Sequence, residues 1–454
     1  MDQRGQDLPE EEASDVLVIG GGPAGSTIAA LLAERGWAVC LLEKDRHPRF
    51  HIGESLLPMN LPILDHLGVL EEVRRIGLVK HGAEFNLDRE DAEPYTYYFD
   101  RAVAPDQPYA FEVRRSEFDE ILLRNAARKG ADVREGLRVT AVEPDGDAGH
   151  RVHATDESRH QSVWRCRYLI DASGRDTFLA RKLGIKEKNT RHSMAAVFGH
   201  FRNVTRREGR DEGNISIYWF AQGWFWLIPL RDGVMSVGAV CWPDYLKSRK
   251  VSVEEFLRDT IRLCPGVLSR MRDAQLIGEA RATGNYSYRS RTMAGENFLL
   301  VGDAYAFVDP VFSSGVYLAM SSASGAADVV DARLRDNPEA ARLLRDYETS
   351  VDRGIRLFSW FIYRFTSPAM RRLFMAPAIG SHADHPSRLS AIQSRIQSAI
   401  ISLLAGDLYR KTPIRLRLAA FKSLYYLASM GSLASSLSLW LRRRRAVRER
   451  VSWE

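Results

Sequence analysis

Cysteine is scarce in this chain: four residues in 454, Cys40, Cys166, Cys241 and Cys264, with no CxxC pair among them. That spacing argues against a disulfide framework and a cysteine zinc centre, and it suits a reducing compartment. His81, His192 and His200 lack metal-ligand spacing, so no metal site is expected. Nothing resembles GxSxG or a Cys/His nucleophile pair, which excludes the common hydrolase arrangements. The start, MDQRGQDLPEEEASD, is polar and acidic; without an apolar stretch there, no secretion signal is expected and the location is expected to be cytoplasmic. Long apolar runs are also missing. The nearest, 418–440, contains Lys422 and six serines before Arg442–Arg445, which argues against a membrane span. Its Leu418, Phe421, Tyr425, Leu433, Leu437 and Trp440 follow helical spacing and are expected to pack on the main body. There is no internal repeat.

What is present is a globular balance, 45% hydrophobic and 27% charged, in a chain long enough for two or three lobes. The net charge of +6 favours anionic partners but says nothing about fold, and no nucleic-acid motif accompanies it. The basic stretch from Arg410 to Arg450 is either a solvated helix face, a dock for an acidic carrier protein, or a contact with anionic lipid.

SDVLVIGGGPAGSTIAALLAERGWAVCLLEKD reads as strand, glycine turn, helix and strand. Gly20, Gly22 and Gly25, with Ala24 among them, let the backbone approach a pyrophosphate at the head of a helix. Glu43 closes the second strand about twenty residues on, placed for ribose hydroxyls, with Lys44 beside it. An acidic residue there favours FAD or NAD over NADP.

Later segments alternate. Residues 116–129 read as a helix, EPDGDAGHR as a hairpin turn, and 195–240 as a meander of strands forming one wall of a substrate lobe. Within it GWFWLIPL, 223–230, puts Trp224 and Trp226 on one face of a strand and Phe225 on the other. VEEFLRDTIRLCPGVLSRMRDA reads as helical, as do the stretch after Ser314, residues 337–375 and residues 388–440.

Several stretches together resemble the flavin-dependent halogenases within the flavoprotein monooxygenase superfamily. NFLLVGDA, with Gly302 and Asp303, is similar to the superfamily's second FAD motif. VRRSEFDEILL, with Arg115, and YLIDASGRDT, with Asp171, match two further cofactor segments. Trp224, Trp226, Ile228 and Pro229 fit WxWxIP; RFHIGESLLP, containing Ser55, and GDAYAFVDPVFSSGVYLAM resemble two more family segments. The resemblance implies an α/β (α+β) fold: a Rossmann-type FAD-binding domain like that of p-hydroxybenzoate hydroxylase, an inserted antiparallel substrate sheet and a helical C-terminal region. The corresponding boundaries are a tail at 1–14, the FAD domain at 15–375 with the sheet mainly from 80–112 and 192–290, and a helical lobe at 376–454.

The resemblance also implies roles. Gly20, Gly22, Ala24, Gly25, Glu43, Lys44, Ser55, Arg115, Asp171, Gly302 and Asp303 would bind FAD. Ser314 and Gly315 would offer amides to chloride or bromide, although SSG is equally a helix cap. Lys80 would handle hypohalous acid made from reduced FAD, oxygen and halide, as an ammonium or as a haloamine-forming amine. The two tryptophans, with Ile228 and Pro229, would separate flavin from substrate. Phe312 stands where indole-directed members carry a glutamate, which points to a phenolic or pyrrolic substrate, free or on an acyl or peptidyl carrier protein. The role of Asp309 stays open. A separate reductase would supply reduced FAD. Three alternatives share these residues: a flavin monooxygenase, a prenyl-type reductase, and a docking protein that keeps FAD as structure.

Overall fold

The computed structural model describes residues 11–90, 93–103, 107–146, 149–189, 194–284, 287–375, 388–407 and 414–430. Glu11–Ile19 lies between two parallel neighbours, Val39–Glu43 and Gln161–Asp171. Val16, Leu17 and Val18 are fully buried, the pattern of a central parallel strand covered on both faces. Asp132–Glu135 extends the sheet beyond Val39–Glu43, and Phe298–Leu300 pairs in parallel with the end of Gln161–Asp171. On the other side, Arg138–Pro144 and His150–Thr155 form the expected antiparallel hairpin.

The first strand hands over to the helix Pro23–Glu34 through Gly20, whose φ is +102°. A Cβ on Gly25 would stand 1.8 Å from the Gly20 carbonyl oxygen. Only glycine lets strand end and helix start approach this closely. The helix Ser314–Leu334, rich in alanine and serine, packs against Pro23–Glu34.

A second seven-stranded sheet runs in the order Gln275–Thr283, Ala195–Arg202, Met235–Cys241, Gly223–Pro229, Ile215–Phe220, Gly82–Asn86, Tyr95–Tyr98. Its pairs are antiparallel except Ile215–Phe220 with Gly82–Asn86, which are parallel. The two faces of this sheet serve different cores. Trp219, Trp224, Trp226 and Ile228 join the main core, whereas Phe225, Leu227, Val237 and Ala239 pack with Tyr245, Phe256, Leu257 and Ile261.

The reading of 253–274 as one helical stretch is corrected: Val253–Arg262 and Pro265–Arg270 are separate helices. The break falls at Cys264, because the residue before a proline is disfavoured in helical geometry. The strand Gln275–Thr283 lies within 192–290, the span expected to supply the substrate sheet, but was not singled out as a strand from the sequence. The C-terminal part is helical at Ala340–Ile362, Pro368–Phe374, Arg388–Leu404 and Ile414–Met430. Leu418, Phe421 and Tyr425 are buried as their spacing implies; Leu433, Leu437, Trp440 and Arg442–Arg445 lie outside the described residues. Among the described residues no helix is long and apolar enough to cross a membrane.

Candidate active site

One cavity of about 950 Å³ runs between the parallel sheet and the second sheet. At one end it is lined by Gly20, Gly22, Ala24, Glu43 and Lys44, in the middle by Ser55, Arg115 and Asp303, and at the other end by Trp224, Trp226, Ile228 and Gly315. Gly20 and Gly315, far apart in the sequence, thus share one wall system.

At the glycine end the carboxylate of Glu43 accepts from the backbone N–H of Gly21 at 2.6 Å and of Asp45 at 2.9 Å. It is 3% exposed, fixed by the turn it anchors. Lys44 pairs with Asp176 across the cavity mouth. Gly25 does not line the cavity; it serves the strand–helix approach described above. Asp171 lies beneath the wall, where its carboxylate accepts from the N–H of Ser173 at 2.9 Å and of Leu179 at 2.8 Å. Burial pushes its pKa up, and those bonds oppose the shift.

In the middle, Arg115 forks onto Asp119 at 2.7 and 3.0 Å and donates to the Ile52 carbonyl at 2.8 Å, so it fixes the cavity loop 49–55 as well as lining the cavity. Burial raises the Asp303 carboxyl to about 6, with Arg175 and Arg115 pulling it back. Gly302, at φ +57°, makes the turn that delivers it. His51 on the same loop is pushed down to about 4 by burial and then by Arg115.

The strand Gly223–Pro229 supplies the far wall. The Trp224 and Trp226 ring centroids are 6.0 Å apart, and Trp226 Nε1 donates to Ser236 Oγ at 3.2 Å. The ring of Trp226 lies over Gly238, where a Cβ would come within 2.2 Å of it. Pro229 closes the strand without lining the cavity. Gly315 lines it at the head of the helix Ser314–Leu334, while Ser314 is 1% exposed and set back. Asp309 caps the turn before this helix by accepting from the Val311 N–H at 3.2 Å.

Lys80 is not on the cavity surface. It lies one hydrogen bond behind it, donating to Ser55 Oγ at 2.8 Å and to the Leu56 carbonyl at 3.2 Å, with Nζ 3.8 Å from Glu112. Burial lowers its pKa and Glu112 opposes this. Phe312 is also away from the cavity, in an aromatic cluster stacked on Phe374 and edge-on to Phe361 and Phe365. Sequence reading missed Glu54 and Glu112. Glu54 pairs with His200 at 2.9 Å from 146 positions away, and Glu112 sits one residue ahead of the VRRSEFD stretch. Only a fold could show either partnership.

A long dinucleotide fits this donor set: a glycine turn free of Cβ atoms, the Glu43 carboxylate at the end of the second strand, and a further carboxylate, Asp303, lining the same cavity as Arg115. The FAD binding domain family matches residues 13–354. The chain is similar to a tryptophan 2-halogenase of Chondromyces crocatus, 39% identical over 74% of this chain and 64% of that one. It thus spans less than two thirds of that relative's length. It is also similar to the 1H-pyrrole-2-carbonyl-[peptidyl-carrier protein] chlorinase of Pseudomonas fluorescens, 29% identical over 87% and 89% of the two chains. Among solved structures it matches the myxobacterial chondrochloren halogenase, with a TM-score of 0.73, 32% identity and 92% and 97% of the two chains covered.

Proposed function

Because the chain belongs to the flavin-dependent halogenase family, we propose that it halogenates an electron-rich aromatic compound of phenolic or pyrrolic type. Reduced FAD, when bound, supplies the electrons with which oxygen converts chloride or bromide to hypohalous acid. The observation that carries this reading is one continuous arrangement: a dinucleotide cavity ending at Trp224 and Trp226, with a fully buried lysine one hydrogen bond behind its wall.

In this reading Gly20, Gly22, Ala24 and Glu43 hold the adenosine and pyrophosphate part of FAD. Arg115 and Asp303 hold the middle, with Asp303 accepting from cofactor hydroxyls. The backbone amides of Ser314 and Gly315, at a helix head, favour a weakly hydrated anion. Trp224, Trp226 and Ile228 fill the space through which substrate would otherwise reach the cofactor, which separates making the oxidant from using it. Lys80 then orients hypohalous acid through the Ser55 hydroxyl, which lines the cavity and accepts from the Lys80 ammonium at 2.8 Å.

Phe312, packed on Phe361, Phe365 and Phe374, supplies no carboxylate at the position where the family resemblance puts one in indole-directed members. A substrate that donates its own electrons, through a phenol oxygen or pyrrole nitrogen, suits the lack of that acid. The likeness to a chlorinase acting on a carrier-bound pyrrole supports a tethered substrate as an option. A separate cytoplasmic reductase supplies reduced FAD, and residues 15–375 act as the FAD-binding unit with 376–454 as a C-terminal lobe. The test is incubation with reduced FAD, oxygen, chloride or bromide, and a panel of free phenols and pyrroles plus a carrier-bound pyrrole. Halogenated product supports the reading; hydroxylated product or peroxide alone across the panel contradicts it.

A further inference from the structure

Glu112 ends the strand Ala110–Glu112, which pairs with Leu78–Lys80. It is 0% exposed. Its Oε1 accepts from Ser55 Oγ at 3.1 Å and stands 3.8 Å from Lys80 Nζ. The same Ser55 oxygen accepts from Lys80 at 2.8 Å, so one hydroxyl bridges amine and carboxyl. Among the described residues the other oxygen, Oε2, has no hydrogen-bond partner. A buried carboxylate with one oxygen unpartnered is expensive unless a cation or a proton compensates it, and Lys80 is the cation at hand.

The surroundings narrow the possibilities. Phe99 places its ring 5.5 Å from Nζ on one side. On the other, Glu54 adds negative charge near Glu112, and its own partner is His200. Burial raises the Glu112 carboxyl to about 8, with Lys80 and Ser55 opposing, and burial lowers the Lys80 amine. The two groups therefore titrate as a pair rather than singly.

We propose that Glu112 is the positioning residue of Lys80, and that the two share one proton through the Ser55 hydroxyl. This rests on reading Lys80 as the group that orients hypohalous acid. As the halogen passes to the ring, the HO–X bond breaks and the departing hydroxide takes the proton of the Ser55 hydroxyl, which lines the cavity, to become water. Nζ gives the shared proton to Ser55 along their hydrogen bond, and its N–H electron pair stays on nitrogen, leaving a neutral amine beside the Glu112 carboxylate. The ring carbon then loses its proton to Ser55, which passes its own to Nζ, so the ammonium and carboxylate end as they began with nothing oxidised or reduced.

The test compares wild type with Glu112→Gln, Glu112→Asp and Lys80→Met. Halogenation by Glu112→Gln should fall about tenfold or more in kcat at pH 8, with KM for the aromatic substrate unchanged, and the deficit should shrink toward pH 6 as solvent protons restore the ammonium. Glu112→Asp should recover part of the loss. Infrared titration of the protein without cofactor gives a readout independent of turnover. A protonated carboxyl band should be present near neutral pH, absent in Glu112→Gln, and shifted to higher pH in Lys80→Met.

Superimposable pH profiles for wild type and Glu112→Gln would overturn the proposal. So would a carboxyl band whose titration ignores Lys80→Met, a comparison that decides the matter if Glu112→Gln does not fold. A wild type that makes no halogenated product, yet shows the coupled titration, sinks the halogenase reading and leaves the shared proton standing.

Discussion

Trp226 and Gly238 show how much one atom matters here. A Cβ at position 238 would lie 2.2 Å from the indole, so Gly238→Ala must displace a ring that forms the cavity wall. Overpacking of this kind costs about 1–3 kcal/mol; urea unfolding should show that loss together with weaker FAD binding. Asp303 supplies a pH signature. Its folded carboxyl titrates at about 6 because burial outweighs Arg175 and Arg115, against about 3.9 in an unfolded chain. Protonated Asp303 therefore stabilises the apoprotein fully below the unfolded value, and that contribution is lost as pH rises through about 6. Asp303→Asn should flatten this slope in melting curves between pH 4 and 7. The same change should weaken FAD binding by about 1.5–3 kcal/mol if the carboxylate accepts from the cofactor, measurable by fluorescence titration. The Glu43 position was legible in sequence because its partner, the glycine turn, lies on the adjoining strand and helix. Glu112 was not, since its partners come from two other segments and neither charge pattern nor spacing links them.

At the scale of elements, the strand Gly223–Pro229 was readable because strand geometry alone separates Trp224 and Trp226 from Phe225. The fold turns that separation into two environments, cavity wall and second core. Different outcomes follow from the two faces. Phe225→Ala should cost about 3–5 kcal/mol of stability while leaving cofactor affinity intact, checked by urea unfolding beside FAD titration. The double change Trp224→Ala with Trp226→Ala should instead raise peroxide release and hydroxylated product per FAD oxidised; unchanged product ratios would reduce these rings to packing. The strand Gln275–Thr283 was illegible for a physical reason: most of its residues are exposed, so no alternation of apolar and polar side chains marks it. Gly278 at φ +69° and the irregular register opposite Phe198 and His200 blur it further. Residues 253–274 are helical on both sides of the break, as expected, and Pro265 is the residue that divides them.

For the whole molecule, the order of motifs along the chain predicted the fold better than any one of them did. The glycine turn, Asp171 and Asp303 are scattered, yet the parallel register of four strands brings their segments to one cavity, which Arg115 joins from the start of the helix Arg115–Arg128. Lys80 was read as the residue that handles hypohalous acid between flavin and substrate, and Phe312 as a substrate-side residue; the structure places both behind the cavity wall, each within its own packed cluster, because their neighbours come from distant segments. A ligand that binds only the folded chain should stabilise all of it: FAD at a hundred times its dissociation constant adds about 2.7 kcal/mol, seen as a concentration-dependent rise in Tm. The measurement that bears most directly on the account is product analysis of wild type supplied with reduced FAD, oxygen, bromide and the phenol and pyrrole panel, beside Lys80→Met. The account predicts brominated product from wild type and its loss from Lys80→Met with FAD oxidation continuing. Equal bromination by both proteins, or hydroxylation alone by wild type, would contradict it.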